Sequence, residues 1–132
     1  MISLPVQQEN VFDMNIDALH YLDMVSSIAL ELPGTVASTS YGTPAFKVKG
    51  KLFARFKEDG KTLVIYTYER DKWMKARPKV YFITDHYKDH PYMLIDLGTV
   101  PVKELKALVT AAWELRTVKD ILKKDKKTGK NG

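Results

Sequence analysis

The densest run of side chains able to do chemistry is Asp85-His86-Tyr87-Lys88-Asp89-His90-Pro91. Two histidines four apart share one face of a helix, and with an aspartate beside them they could ligate zinc or take part in general acid–base chemistry. Pro91 and the strand-like segments on either side make this stretch a loop instead, where a spacing of four guarantees no proximity. The expectation is structural, with Asp85 or His86 bonding loop amides and Tyr87 packing, and neither a metal site nor a catalytic group is assigned. His20 lies among the solvent-facing positions of a helical pattern with no second ligand three or four residues away, and reads as a surface residue. Cysteine is absent, which removes thiolate nucleophiles, Cys-containing zinc sites and disulfides together. There is no dinucleotide or P-loop glycine pattern, and Thr39, Ser40 and Thr43 have no evident base to make them nucleophiles. No cofactor is predicted.

Phosphate contact is the other chemistry the residue types allow. The net charge of +5 is unevenly spread. Residues 1–46 carry five acids and no Lys or Arg, or −5, whereas residues 47–88 carry twelve basic and five acidic residues, or +7. Residues 89–118 have three basic and four acidic residues, or −1, and residues 119–132 have six lysines and two aspartates, or +4. A basic segment of this kind steers polyanions, because each neutralised phosphate releases counterions. The same lysines also serve as ordinary solvated strand faces. The candidate phosphate contacts are Lys47, Lys49, Lys51, Arg55 and Lys57, on a predicted hairpin. Tyrosines 41, 66, 68 and 87 interleave with basic residues as in platforms for single-stranded nucleic acid, although strand tyrosines more often rim a core.

These residues are positioned by a chain of 132 residues, one domain in length and able to bury a core without metal or disulfide. The start lacks the basic-then-apolar order of a signal peptide, and no apolar run reaches the ~18 residues needed to span a bilayer. The expectation is a cytoplasmic protein with no membrane partner. One domain is expected over residues 1–118, followed by a basic flexible tail over 119–132.

The order of elements predicts an α+β fold. Residues before about 13 read as a leader. Ile16, Leu19, Leu22, Val25, Ile28, Ala29 and Leu32 recur at helical spacing, with Asn15 or Asp13 as cap and Pro33-Gly34 as stop. Residues 35–40 form a first edge strand, Tyr41-Gly42-Thr43-Pro44 a turn, and residues 45–49, 52–57 and 62–68 an antiparallel meander. A two-residue Gly50-Lys51 turn pairs Lys49 with Leu52 and Phe46 with Arg55, which sets Lys47 and Lys49 on one face and Arg55 and Lys57 on the other. The strand from 62 is apolar on both sides, hence central. A short helix over 69–76, strands over 80–84 and 92–97, and a last helix from Pro101 complete the chain. The last helix carries the stripe Val102, Leu105, Leu108, Val109, Ala112 and Trp113 and extends as far as Leu122. The sheet is thus flanked by an N-terminal, a short middle and a C-terminal helix.

The succession Leu32-Pro33-Gly34, Ser40-Tyr41-Gly42-Thr43-Pro44-Ala45-Phe46-Lys47-Val48 and Gly50-Lys51-Leu52-Phe53-Ala54-Arg55 resembles the MmcQ/YjbR-like family. The likeness continues through Asp59-Gly60, Leu63-Val64-Ile65, Phe82, Thr84-Asp85-His86-Tyr87, Pro91 and Ala111-Ala112-Trp113, and so covers residues 29–113. After Trp113 the chain has Leu115-Arg116-Thr117-Val118-Lys119, where members often continue with an Ala-Pro pair and a basic residue. The resemblance implies an antiparallel sheet flanked by helices, likened to the double-wing arrangement of certain DNA-binding factors. Members are commonly labelled DNA-binding on that ground, although a fold does not determine a function. At the motif positions, Gly42, Pro44, Phe46, Lys51, Phe53 and Trp113 look structural, while Lys51, Arg55, Asp85, His86 and Tyr87 have polar groups able to touch a ligand.

The leading expectation is a non-catalytic nucleic-acid-binding or regulatory domain, with DNA as partner and phosphate contacts from the hairpin. One alternative is a small-molecule-binding protein or enzyme with a pocket near Tyr41, Lys51, Asp85, His86 and Tyr87. The other is a protein-interaction module with an exposed apolar patch on the first or last helix. No oligomeric state follows from these patterns.

Overall fold

Asn15 starts the first helix: its side-chain oxygen accepts the Ala18 amide hydrogen at 2.8 Å. In the computed structural model, which describes residues 15–117, this helix is α1 (Ile16–Ala29). The predicted leader up to residue 13, the tail over 119–132 and any helix beyond 117 lie outside the described residues. Ala18, Val25 and Ala29 are buried, with Leu22 half-buried, and their spacing of i, i+4, i+7, i+11 is that of one helix face. Ile16 and Leu19 lie off that face and are exposed, which corrects the predicted stripe at its N-terminal end.

Six strands form one sheet: β1 (Thr35–Ser40), β2 (Thr43–Val48), β3 (Lys51–Phe56), β4 (Thr62–Tyr66), β5 (Tyr81–Phe82) and β6 (Tyr92–Asp96). Their spatial order is β1-β2-β3-β4-β6-β5, and every neighbouring pair is antiparallel. The first four strands are therefore a meander, as expected. Between β4 and β6 come α2 (Arg70–Ala76), β5 and a 3-10 turn at Asp85–Tyr87, so that β6 returns beside β4 and β5 takes the far edge. The last helix is α3 (Val102–Arg116), with Pro101 as its N-cap and Thr117 as its C-cap. No helix among the described residues is long and apolar enough to cross a membrane.

Both hairpin turns have two residues, and they correct the predicted register. Ser40 pairs with Thr43 around Tyr41-Gly42, and Val48 pairs with Lys51 around Lys49-Gly50. All four turn residues have positive φ, 54° and 80° in the first turn and 54° and 75° in the second. This is the type I′ pattern, whose twist matches that of the strands it joins, and glycine is the residue that tolerates its second position best. The loop at the second hairpin is thus Lys49-Gly50, one residue earlier than Gly50-Lys51. Thr43 and Pro44 belong to β2 and not to the turn.

α1 and α3 cover one face of the sheet. Phe46, Phe53, Leu63, Ile65, Met93 and Ile95 are buried there together with Leu105, Leu108, Val109 and Ala112 of α3. The Trp113 indole donates to the Pro33 carbonyl at 2.8 Å, tying α3 to the chain just after α1. The opposite face has a smaller cluster of Val64, Leu94 and Tyr87, with Phe82 and Tyr92 against it, covered by the segment between β5 and β6. β4 is buried along its whole length, which is why its sequence is apolar on both sides.

Candidate anion-binding pocket

Arg55 is on the face opposite the helices because of one extra residue in β3. Lys47 pairs with Leu52 and Phe46 with Ala54, a register shift that leaves Phe53 unmatched. Beyond this bulge Arg55 lies across from Ala45 on one side and Val64 on the other. A bulge inserts a residue in one strand only and so changes the parity of every later residue in that strand. Arg55 therefore shares its face with Lys47, contrary to the prediction that the two lie on opposite faces.

The Arg55 side chain is 7% exposed. Its Nη1 donates to Thr43 Oγ1 at 3.0 Å and to the Phe56 carbonyl at 3.1 Å, and Nη2 donates to the Tyr87 hydroxyl at 3.2 Å. Its guanidinium also lies 5.2 Å from the centre of the Tyr41 ring. Among the described residues no carboxylate lies within ion-pair distance of it. Three of the five N–H groups of an arginine are used by these bonds, which leaves two, Nε–H and one on Nη2.

This guanidinium lines a pocket of about 200 Å3. Leu52 and Val64 contribute from β3 and β4, Tyr92 from β6, Tyr41 from the first turn, and His86, Tyr87 and His90 from the covering segment. The rings are arranged edge to face: His86 and Tyr87 have centres 4.7 Å apart and planes at 87°, and Tyr87 and Tyr92 are 5.9 Å apart at 64°. Such T-shaped pairs satisfy the ring quadrupoles and hold ring planes in place.

Two other arginines brace the walls. Arg70, at the start of α2, donates from Nη1 to the carbonyls of Tyr87, His90 and Tyr92 at 2.8, 2.7 and 2.9 Å, and from Nη2 to that of Lys88. A rigid planar donor can collect several carbonyls of one loop, and this one fixes the segment that carries His86, Tyr87 and His90. Arg70 also lines a wider polar cleft of about 400 Å3 with Thr67, Asp71 and Lys88. By the same count Arg70 also keeps its Nε–H and one N–H on Nη2; it differs from Arg55 in being only half-buried, where water can reach it. At the other rim, Arg116 donates to the Leu52 carbonyl at 3.0 Å and to the Tyr92 hydroxyl at 3.4 Å, and lies 3.6 Å from the centre of the Tyr66 ring.

A second group of coupled polar side chains lies elsewhere and is structural. The buried Tyr81 hydroxyl donates to Glu104 Oε1 at 2.6 Å, and Arg77 Nε donates to both oxygens of Glu104 at 2.9 and 2.8 Å. Burial, and then the bond to Glu104, push the Tyr81 hydroxyl well above its ordinary range. The Tyr81 bond, and then Arg77, hold Glu104 below the usual carboxylate value. This cluster joins β5, α3 and the end of α2.

Of the residues singled out in the sequence, Tyr41, His86 and Tyr87 line the pocket, and Arg55, expected on the hairpin surface, is its buried cation. Lys51 is exposed beside the hairpin turn and Asp85 is exposed in the 3-10 turn; neither lines the pocket. Lys49 is exposed in the turn itself, while Lys47 and Lys57 are half-buried. His90, from the same polar run as His86, and Leu52, Val64 and Tyr92 complete the walls; neither the roles of those last three nor the bracing by Arg70 and Arg116 has a signal in residue type or spacing. Among the described residues no group of three or more His, Asp or Glu is placed to hold a metal ion.

The fold and part of the sequence have known counterparts. A Deinococcus radiodurans protein, DR2400, described as having the domain DUF419, superposes with a TM-score of 0.64 at 23% identity, over 73% of this chain and 78% of that one. That likeness is one of fold. Uncharacterized protein Rv2570 of Mycobacterium tuberculosis and Uncharacterized protein Mb2600 of Mycobacterium bovis are each 36% identical over 45 residues. These matches cover 34% of this chain and 35% of each relative, so the chain spans about a third of the length of the relatives it matches. The family model YjbR matches residues 30–115, which span the sheet, the whole pocket and α3 but for its last residue, and the chain belongs to the YjbR family.

Proposed function

We propose that this chain binds a small anionic molecule and that Arg55 holds it. The observation that carries the reading is a guanidinium more than nine-tenths buried whose described partners are two hydroxyls and a carbonyl. Taking a cation out of water is costly when nothing neutralises it. An anion entering the pocket offsets that cost and takes up the two remaining N–H groups. Apolar walls with a few convergent polar groups are the usual form of a small-ligand site. The reading is binding and not acyl transfer, because the Thr43 hydroxyl donates to the Ser40 carbonyl at 2.9 Å and accepts from Arg55, and no base among the described residues is bonded to it. The test is an NMR titration of the full chain with inorganic phosphate, acetate and benzoate. Saturable shifts of the Leu52, Val64 and Tyr87 amides with at least one anion, lost in Arg55→Met, support the reading. No saturable shift with any of the three at millimolar concentration contradicts it.

A nucleic-acid-binding role rests on a different observation, the exposure of Lys49 in the type I′ turn with Lys51 exposed beside it. With Lys47 and Lys57 these give the hairpin phosphate contacts that confer affinity without sequence choice. Arg55 has no part in that surface, being buried. Changing Lys47, Lys49 and Lys51 together to Ala lowers affinity for short duplex DNA and reduces the salt slope by about 0.9 for each phosphate that is no longer neutralised; unchanged binding removes the hairpin from this role.

A further inference from the structure

We infer that the anion held at Arg55 is a small carboxylate carried on a flat ring, a free aromatic or heteroaromatic acid. The inference rests on the reading of the pocket as an anion site and adds the class of molecule.

Three features define that class. The first is the donor set. Both N–H groups of Nη1 are engaged by Thr43 and Phe56, and one of Nη2 by Tyr87, so the guanidinium plane is held in place and two donors remain. Two coplanar donors suit the two oxygens of a planar carboxylate; a tetrahedral phosphate has further oxygens, for which the pocket offers no second guanidinium or ammonium, only the imidazoles and hydroxyls of its histidines and tyrosines. Among the described residues, Arg55 is the one arginine or lysine lining the pocket. The second feature is the wall. Tyr87 and Tyr92 present rings whose planes are set by edge-to-face packing, and the Tyr41 ring lies against the guanidinium. Ring walls of fixed orientation favour a flat body that can stack or meet them edge-on. The third is size. A pocket of about 200 Å3 falls below the ~300–1,000 Å3 of sites for drug-sized ligands, which suits one ring with its carboxylate better than a whole nucleotide.

The experiment is an NMR titration of the full chain with benzoate, cyclohexanecarboxylate and inorganic phosphate, repeated with Tyr41→Gly and Arg55→Met. Tyr41 is 85% exposed and has a φ of 54°, so glycine removes the ring without disturbing the core and suits the backbone. Benzoate is expected to bind about tenfold more tightly than either of the other anions, the effect of one good stacking or fork interaction. Tyr41→Gly should weaken it about threefold, and Arg55→Met should abolish it. Cyclohexanecarboxylate or phosphate binding as tightly as benzoate, with Arg55→Met still abolishing it, overturns the ring-carboxylate class and leaves the anion pocket standing. Benzoate binding unchanged in Arg55→Met, or no binding by any of the three, overturns both.

Discussion

Replacing Arg55 by Met removes the pocket's cation while keeping an unbranched side chain that can lie along the same wall. Three charge-assisted hydrogen bonds disappear, to Thr43, Phe56 and Tyr87, and at about 1.5 kcal/mol each they contribute roughly 4–5 kcal/mol. Against them stands the desolvation of a guanidinium 7% exposed, which after relaxation costs several kcal/mol for an ion. Since no carboxylate faces Arg55 among the described residues, its removal leaves no orphaned charge behind. The Thr43 hydroxyl keeps its bond to the Ser40 carbonyl, and the Tyr87 hydroxyl can turn to water in the pocket. The two sides nearly cancel, and the expected change in unfolding free energy is within about 1 kcal/mol of zero, in either direction. Urea denaturation measures it as a midpoint shift at unchanged slope. A loss above about 3 kcal/mol, the size seen when one partner of a buried ion pair is removed, refutes the reasoning: Arg55 would then be a structural keystone and the pocket a by-product of folding.

Arg70→Met releases four carbonyls of the covering segment and should cost about 2 kcal/mol. Hydrogen exchange should speed up at the Tyr87, His90 and Tyr92 amides, which bond within that segment, while β2 and β3 keep their protection. Glu104 is held below its ordinary value of 4.5 by its bonds to Tyr81 and Arg77, so its contribution to stability is present above that value and disappears as pH falls through the lower folded value. Glu104→Gln should therefore flatten the acid limb of stability below pH 4.5, read from urea midpoints across the pH range. Lys49→Asn should raise stability by roughly 0.5–1 kcal/mol, because Asn accepts the left-handed conformation that Lys49 holds at 54°; a lower thermal midpoint would count against the turn assignment.

The fold is legible in the sequence where a single local rule decides it. Asn15 caps α1, the doubly apolar run from Thr62 lies in the middle of the sheet, and α2 ends at Ala76 ahead of Pro78 as expected, whereas α1 ends at Ala29, short of the Leu32 expected before the Pro33-Gly34 stop. The α+β architecture follows from the same patterns, and the family likeness from the ordered motifs between residues 29 and 113. The pocket is half legible: Tyr41, His86 and Tyr87 belong to it, yet alternation along the hairpin assigns its central residue to the surface. One physical fact conceals Arg55: the bulge at Phe53 changes the parity of β3, and alternation along an unbroken ladder cannot reveal an inserted residue. The turn also comes one residue earlier than residue preferences put it, because Lys49 occupies a positive-φ position that lysine rarely holds, but a two-residue loop at either place leaves the faces unchanged. Tyr41-Gly42 offers the one available signal, since it has the same residue-then-glycine form and the same conformation as Lys49-Gly50. Arg70 and Arg116 act on backbone carbonyls far away in the chain, 17 or more residues for Arg70 and 64 for Arg116, and spacing along a sequence carries no trace of such bonds.

The most direct measurement of the central claim is the NMR resonance of the Arg55 Nε–H group, identified by its absence in Arg55→Lys, during titration of the full chain with benzoate. The account predicts a saturable change in that resonance, in step with the Leu52 and Val64 amides, as the carboxylate takes up the free donors. A resonance that stays put while benzoate shifts signals elsewhere, or that does not respond to any small anion, contradicts it.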